Sequence, residues 1–403
     1  MFKFEFQLDE EEDGSFQIPL QSEAGPSTAA LTPPPTKDEG DQNCYHITLD
    51  ELIKALPEEI SYSPLPLPFL KSPILRRDLF DARFQLYNRQ SEEDPSKEGQ
   101  KEEDEGEEYV DAKTDLIPGL YEGGLKSWEG GVDLVEVLSS IDDEEGVGRW
   151  VEGGRVLEVG CGTALPTLYL LRSLLSTSSS LSTKTTFHVQ DYNSLVLSLV
   201  TLPNLILATI PYLPPEVLHQ PNDEEDVEEV VPDLENPGNL VLSPQLVEGF
   251  RKLLEERNIE LKFTYGHWSG FAGDLQKEGE EGYGLVLTAE TIYAEDSNAS
   301  LLSVLKNAIK RTKALGGGEN IIHKEEVRLE DSLDNLKVDD GWKNIALKEQ
   351  GDGFILVAAK ILYFGVGGGL TAFLNRVEDN EGWWKGVKDW TKGVGRKVVQ
   401  VGW

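Results

Sequence analysis

The stretch VLEVGCGTALPTLYLL, from Val156 to Leu171, limits the possible folds of this chain more than any other. A short apolar run (Val156, Leu157, Val159) turns on Gly160, Cys161 and Gly162 and continues apolar at helical spacing. A buried strand that turns on glycines into a helix is how parallel α/β folds receive an anionic or dipolar ligand. The glycines let backbone N–H groups approach closely, and the helix N-terminus favours negative charge. The pattern is E-x-G-x-G-x-A, with Ala164 in the third glycine position and Glu158 just before the turn. A carboxylate there opposes a pyrophosphate and suits an ammonium group. The turn therefore points to S-adenosyl-L-methionine ahead of NAD, with Glu158, Gly160, Gly162 and Thr163 against the ligand. The competing reading is a structural turn whose glycines only permit positive φ.

The rest of the chain alternates strand and helix patterns. The folded body is expected to start near Asp115, with an extended entry, a glycine-rich turn and a helix from about Gly131. Strands are expected at 155–159, TTFHVQ, ELKFTY, YGLVLTAE and FILVAAKILYF, with helices between them. The helix from Asn193 to about Ile210 should be kinked or interrupted at Pro203. GVKDW and GRKVVQVGW read as a closing hairpin. This order implies an α/β fold with a mainly parallel sheet, helices on both faces and ligand binding at the carboxyl ends of the strands.

Polar clusters fall just after each predicted strand: Gly160–Thr163, Gln190–Asn193, Gly266–Ser269, Glu290–Tyr293 and Phe364–Gly369. Asp191 is placed to accept the ribose hydroxyls of an adenosine cofactor; an N-cap for the following helix is the alternative. Trp268 suits stacking on adenine or closing its edge, and equally suits the core. Glu290 and Tyr293, three apart, could accept a proton or orient a nucleophile, or form a structural hydrogen-bonded pair.

Composition removes several function classes. The formal net charge of −36 disfavours a DNA duplex or an anionic membrane surface as partner and is compatible with a basic protein. Two cysteines, Cys44 and Cys161, make neither a disulfide framework nor a zinc cluster and suggest a reducing compartment. The histidines at 46, 188, 219, 267 and 323 show no metal spacing, so no metal is expected. The glycine turn lacks G-x-S-x-G, and a cofactor over Cys161 would cover that thiol. The N-terminus has no secretory pattern, and Gly353–Leu370 reads as a buried strand and loop, so no membrane partner is expected. Residues 1–45 read as a disordered tail, 46–90 as a partly ordered segment that docks or folds back, and 91–110 as an acidic linker. The remainder, 111–403, reads as one domain with an acidic insertion at 215–240 and another at 316–351.

Six stretches together carry a resemblance. PGLYEGGLKSWEGG, LEVGCGTA, VQDYNSLVLSLVTLPN, GHWSGF, LVLTAETIYAED and AAKILYFGVGGG occur in this order over most of residues 115–370. Their combination resembles the histidine protein methyltransferase family, within it the eukaryotic enzymes that methylate the Nτ atom of a histidine in a large-subunit ribosomal protein, ribosomal protein three. The resemblance implies a Rossmann-like class I methyltransferase with a seven-stranded sheet and S-adenosyl-L-methionine as cofactor. It implies that Ser127, Trp128, Glu129, Gly130 and Gly131 form part of the cofactor wall. Gln190, Asp191, Tyr192, Gly266, His267, Trp268 and Ala289 would complete that wall, with Glu290 and Tyr293 at the transferred methyl. It further implies a protein substrate, a monomer, and a place in the cytoplasm and nucleus. Ala164 departs from the common glycine pattern and should narrow the turn only slightly. Two rivals share parts of this pattern: a lysine-directed methyltransferase of the neighbouring family, and a non-catalytic acidic module that escorts a basic ribosomal protein.

Overall fold

The computed structural model describes residues 42–85, 116–117, 121–177, 183–218, 233–277, 282–309, 353–363, 369–391 and 393–403. The residues expected to form the tail up to 41, the acidic linker, the 316–351 insertion and the Phe364–Gly368 part of the last glycine loop lie outside them.

The strands in chain order are β1 (Cys44–Ile47), β2 (Glu59–Leu65), β3 (Ile74–Arg77), β4 (Leu116–Ile117), β5 (Tyr121–Glu122), β6 (Arg155–Val159), β7 (Thr185–Asp191), β8 (Gly238–Val241), β9 (Ile259–Gly266), β10 (Leu285–Ala289), β11 (Phe354–Lys360), β12 (Trp383–Trp390) and β13 (Arg396–Gly402). The main sheet runs β1-β9-β7-β6-β10-β11-β13-β12. Its centre, β9 to β11, is parallel. The terminal hairpin adds β13 antiparallel to β11 and β12 antiparallel to β13. From β6 the chain steps outward through β7 to β9, then returns to the other side of β6 as β10. That reversal makes a topological switch point at the carboxyl ends of β6 and β10, where open α/β sheets bind ligands.

The central strands are continuous apolar runs because helices cover both their faces. β7 is buried at every position. The helix Leu165–Ser176, entered from the glycine turn, is buried from Leu165 to Leu175 and so has no polar face to offer water. The helix Pro244–Glu256 has a single apolar stripe, burying Leu246, Phe250, Leu253 and Leu254. Ser194–Tyr212 is apolar and long enough to cross a membrane, but 83% of it is buried within this domain as a core helix.

Three expectations need correction. The main sheet has eight strands among the described residues, because β1 adds antiparallel to the outer edge of β9. Among the described residues, the segment 42–85 already belongs to the folded body, well before Asp115. A short helix, Leu49–Lys54, follows β1 and is capped by Thr48 in a capping box with Glu51. After it, β2 forms a three-stranded sheet with β3 and β8. Leu52, Ile60, Tyr62 and Ile74 from this segment are buried in the main core. The residues at 238–241, partly assigned to the acidic insertion, form the third strand of that sheet.

The irregularity expected at Pro203 appears one turn earlier. The helix widens into a π-turn over Leu197–Thr201, where the Leu202 N–H bonds the Leu197 carbonyl five residues back. Pro203 has no N–H for the Leu199 carbonyl four residues back. The Arg77 Nη1 donates to that carbonyl instead, at 2.7 Å. Here the N-terminal segment repairs a defect of the core helix.

Candidate active site

A cavity of about 310 Å³ opens at the switch point, between the ends of β6, β7 and β10 and the start of the helix Glu129–Ser139. Its floor is the glycine turn. Gly160 and Gly162 have φ of 63° and 50°, and a Cβ on Gly160 would sit 2.4 Å from Thr291 Cγ2. Ala164 also adopts the left-handed region, at φ 56°, and is the N-cap of its helix without a side-chain bond. A glycine would adopt this conformation without strain, so the departure from the glycine pattern tells on backbone strain more than on turn width.

Polar side chains from the 190–204 stretch hold the turn in place. Gln190 Oε1 accepts from Trp268 Nε1 at 2.9 Å, and Gln190 Nε2 donates to the Gly266 carbonyl at 3.1 Å. Asp191 Oδ2 accepts from the Gly162 N–H at 2.9 Å. Thr201 Oγ1 donates to the Gly162 carbonyl at 2.7 Å, and Asn204 Nδ2 donates to the Thr163 carbonyl at 3.1 Å. The QDYN and VTLPN motifs thus act together on the same turn. The N-cap expected as the alternative role of Asp191 belongs to Asn193, whose Oδ1 accepts from Leu195 N.

Of the residues expected at the cofactor, Trp128, Gly131, Glu158, Gly160, Gly162, Thr163, Asp191, Tyr192, Trp268 and Ala289 line the cavity, as do Glu290 and Tyr293. Six stand behind it. Ser127 hydrogen-bonds Thr163 at 3.1 Å, Glu129 pairs with Lys360 at 3.5 Å, and Gly130 packs on Glu290. Gln190 braces Trp268. Gly266, at φ 105°, and His267 take up the docking of residue 43: the His267 N–H donates to the Asn43 carbonyl at 2.9 Å. The His267 ring accepts from Ser269 N and packs edge-on to Tyr192. The side chains or backbones of these six are engaged by the fold, and none of them is among the residues that line the cavity. Trp268 serves both readings, being 3% exposed, in edge contact with Tyr192 and on the cavity wall.

Asn193 and Thr291, from the clusters after the second and fourth strands, also line the cavity, as do Lys360 and Tyr363, which sequence reasoning missed. Lys360 and Tyr363 lie at the end of the fifth strand pattern, so the rule that found the other clusters would have reached them one turn earlier than Phe364.

The electrostatics separate the candidate ligands. Glu158 is buried, and that burial pushes its pKa up to about 8; the Thr167 side chain and backbone oppose the rise, and Asp191 adds to it. Burial, with Asp191 and Glu158 nearby, raises the Cys161 thiol well above its ordinary value, so it is no nucleophile. Two buried polar atoms on the wall lack a partner among the described residues: Asn193 Nδ2 and Glu290 Oε1. The wall therefore offers a spare donor, a spare acceptor and carboxylates on the glycine-turn side. That set fits an adenosine bearing a cationic amino-acid end and conflicts with a pyrophosphate.

A proton-linked prediction follows from Glu158. The folded protein binds this proton between the ordinary carboxyl value of 4.5 and about 8, while the unfolded chain has released it. Stability from this group is present below the lower value and is lost as pH rises across that window. A cationic ligand against Glu158 should restore the ionised form and expel the proton. Calorimetry with S-adenosyl-L-methionine at pH 7 should give apparent enthalpies that differ between phosphate and Tris by the released proton. Equal enthalpies in the two buffers would remove Glu158 from the ammonium contact.

No protein-family model matches the chain. Curated proteins do. It is 30% identical to histidine protein methyltransferase 1 of Schizosaccharomyces pombe, over 87% of this chain and 83% of that protein. It is 30% identical to the Saccharomyces cerevisiae protein of the same name, over 79% and 72% respectively. A solved O-methyltransferase, TomG from Streptomyces achromogenes, is 9% identical over 69% of this chain and 91% of that chain, with a TM-score of 0.30; this is too loose to bear on function. With identity at this level over most of both chains, the chain belongs to the histidine protein methyltransferase family.

Proposed function

We propose that this chain transfers a methyl group from S-adenosyl-L-methionine to the Nτ atom of a histidine in a large-subunit ribosomal protein, ribosomal protein three. It would act on that protein in the cytoplasm and nucleus. The observation that carries the reading is the cavity at the β6–β10 switch point, walled by Glu158, Asp191 and Glu290 in a chain of this family. The resemblance carried by the QDYN, VTLPN and GHWSGF motifs supports the ribosomal substrate and the Nτ position. A net charge of −36 suits a basic ribosomal protein, which it would attract over long range.

When bound, the cofactor supplies an activated methyl on a sulfonium. The residues of this chain have to bind, orient and exclude water. Asp191 is suited to the ribose hydroxyls, Trp268 and Tyr192 to the adenine edge, and Glu158 to the ammonium. Glu290, Tyr293 and Tyr363 cluster at the end of β10, with the two tyrosine rings edge to face at 6.5 Å. An imidazole lone pair held in line with the methyl carbon needs no strong base, because proximity and orientation supply most of the acceleration.

The acceptor must be neutral, and that gives the test. With a histidine pKa of about 6.5, the single-turnover rate should rise through the substrate's pKa and then level off. Glu290 beside the ring would move the rise upward and keep the plateau. A lysine acceptor, starting from about 10.4, would keep gaining roughly tenfold per unit into alkaline solution. The substrate is large-subunit protein from cells lacking this chain, with the modified residue located by mass spectrometry. A methyl-lysine product, or a rate still climbing above about pH 9, would reject the assignment.

A further inference from the structure

Glu290 is held more tightly than a residue that merely lines a cavity needs to be. Its φ is 56°, in the left-handed region that residues with side chains adopt only where the surroundings enforce it. Its N–H donates to the Ala358 carbonyl on β11 at 2.9 Å, which ties the backbone down. The side chain lies against Gly130, in the first turn of the helix Glu129–Ser139. A Cβ there would stand 3.0 Å from Glu290 Cγ and 3.1 Å from Oε1. The Tyr363 hydroxyl donates to Glu290 Oε2 at 2.6 Å and itself accepts from the Lys360 N–H at 3.2 Å. One oxygen is therefore fixed from behind. The other, Oε1, has no partner among the described residues, in a side chain only 9% exposed. A buried acceptor left unmet destabilises the protein that carries it. In a cavity wall it marks where a ligand brings the donor.

Resting on the histidine reading above, we propose that Glu290 Oε1 accepts the N–H of the substrate imidazole while the opposite ring nitrogen is methylated, with Tyr363 as the positioning residue that aims the carboxylate. The imidazole lone pair forms the new N–C bond, and the donor's S–C bond breaks with its electron pair left on sulfur. The positive charge passes to the ring, whose remaining N–H is the one held by Glu290. That proton leaves later to solvent, regenerating a neutral methylimidazole. The contact strengthens as the ring becomes cationic, so it stabilises the transition state more than the bound substrate. It also selects the tautomer, since only the ring nitrogen away from Glu290 presents a lone pair to the methyl. Lysine carries no such second nitrogen.

Burial raises the Glu290 pKa, while the Tyr363 hydroxyl and Lys360 lower it. Tyr363 thus helps keep the carboxylate ionised as well as aimed. Removing its hydroxyl should move the acidic limb of the rate profile to higher pH, which a purely structural role would not do.

The test uses the full chain, S-adenosylhomocysteine as the binding probe, and large ribosomal subunits from cells lacking this chain as methyl acceptor. Tyr363→Phe should lower kcat roughly tenfold, leave KM and the S-adenosylhomocysteine Kd within about twofold, and release some Nπ product, resolved by chromatography of hydrolysed protein. Gly130→Ala, which keeps Tyr363 but crowds Oε1, should show the same drop in kcat. Wild-type kcat, pH limb and isomer ratio in Tyr363→Phe would overturn the positioning role, and a wild-type rate in Gly130→Ala would overturn the placement of Oε1. A Glu290→Ala variant that loses cofactor affinity tenfold while keeping a single isomer would assign Oε1 to the cofactor's ammonium and also overturn the proposal. The wild-type arm separates the two levels: if it methylates no histidine, the activity reading itself has failed.

Discussion

A chain beginning at Tyr109 should fail to fold, whereas one beginning at Asp41 should keep its melting temperature. The acidic linker separates the 42–85 segment from the body in sequence, and composition suggests that everything before it can be dispensed with. The packing says otherwise. β1 covers the open edge of β9 along four register pairs, from Cys44–Gly266 to Ile47–Phe263. A Cβ on Gly270 would strike Cys44 N at 2.5 Å, so the helix Trp268–Lys277 carries a glycine where the 42–85 segment, a strap over the sheet edge, crosses it. Leu52, Ile60, Tyr62, Leu67 and Ile74 are each at most 3% exposed. At about 1.5–3 kcal/mol per buried apolar side chain, the loss of these five is comparable to the whole ~5–15 kcal/mol margin of an ordinary domain.

Polar contacts add to that sum. Arg77 N donates to Asn204 Oδ1 at 2.7 Å, and Asn204 in turn holds the Thr163 carbonyl of the glycine turn. Arg172, buried on the helix that follows the turn, donates to the Pro73 carbonyl at 2.7 Å. Removing the strap therefore takes carbonyl acceptors from the Arg172 guanidinium and donors from Asn204 Oδ1 and the Leu199 carbonyl, next to the cofactor floor. The measurement is thermal unfolding by circular dichroism alongside S-adenosylhomocysteine binding. A chain from Tyr109 that melts cooperatively near the full-length temperature and binds the ligand would show the strap to be an accessory.

The contrast between turn and strap explains what could be read in advance. The glycine turn, the parallel centre and the terminal hairpin announce themselves locally: an apolar run, a pair of glycines, a return of period-two alternation. Asp191, Trp268 and Glu290 were reachable because each follows a strand, and the switch point collects strand ends. β1 has only four residues, and its reward for being a strand comes from β9, with His46 meeting Thr264 across 218 positions. No window of sequence holds both halves of that pairing. Gln190, Gly266 and His267 were assigned to the ligand for the same reason. Their position at a strand end was visible, but the strap and the indole that occupy them were not. Tyr363 falls inside the expected fifth strand, one residue short of the expected glycine loop, and its role rests on Glu290, 73 residues away.

Replacing Asp191 should cost the protein its cofactor, and the way it does so separates two jobs that one carboxylate performs. Asp191 is 8% exposed and lines the cavity, with Oδ2 on the Gly162 N–H at 2.9 Å and Oδ1 on Asn193 N at 3.2 Å. A carboxylate offers about four acceptor sites, and the ribose of the cofactor brings two hydroxyl donors. Charge-assisted bonds of about 1.5–3 kcal/mol each imply a loss in affinity of at least about tenfold for one bond and more than about a hundredfold if both are lost. Asp191→Ala also strips the acceptor from Gly162 N, a half-buried donor at a left-handed residue, and should lower the melting temperature by several degrees. Asp191→Asn keeps a carbonyl oxygen for Gly162 while losing the charge. It should melt close to the wild type and still bind S-adenosylhomocysteine at least about tenfold more weakly by calorimetry. If affinity in the two variants simply tracks melting temperature, Asp191 only closes the turn and the ribose has another partner. Weak binding in a stable Asn variant can come only from the lost contact itself.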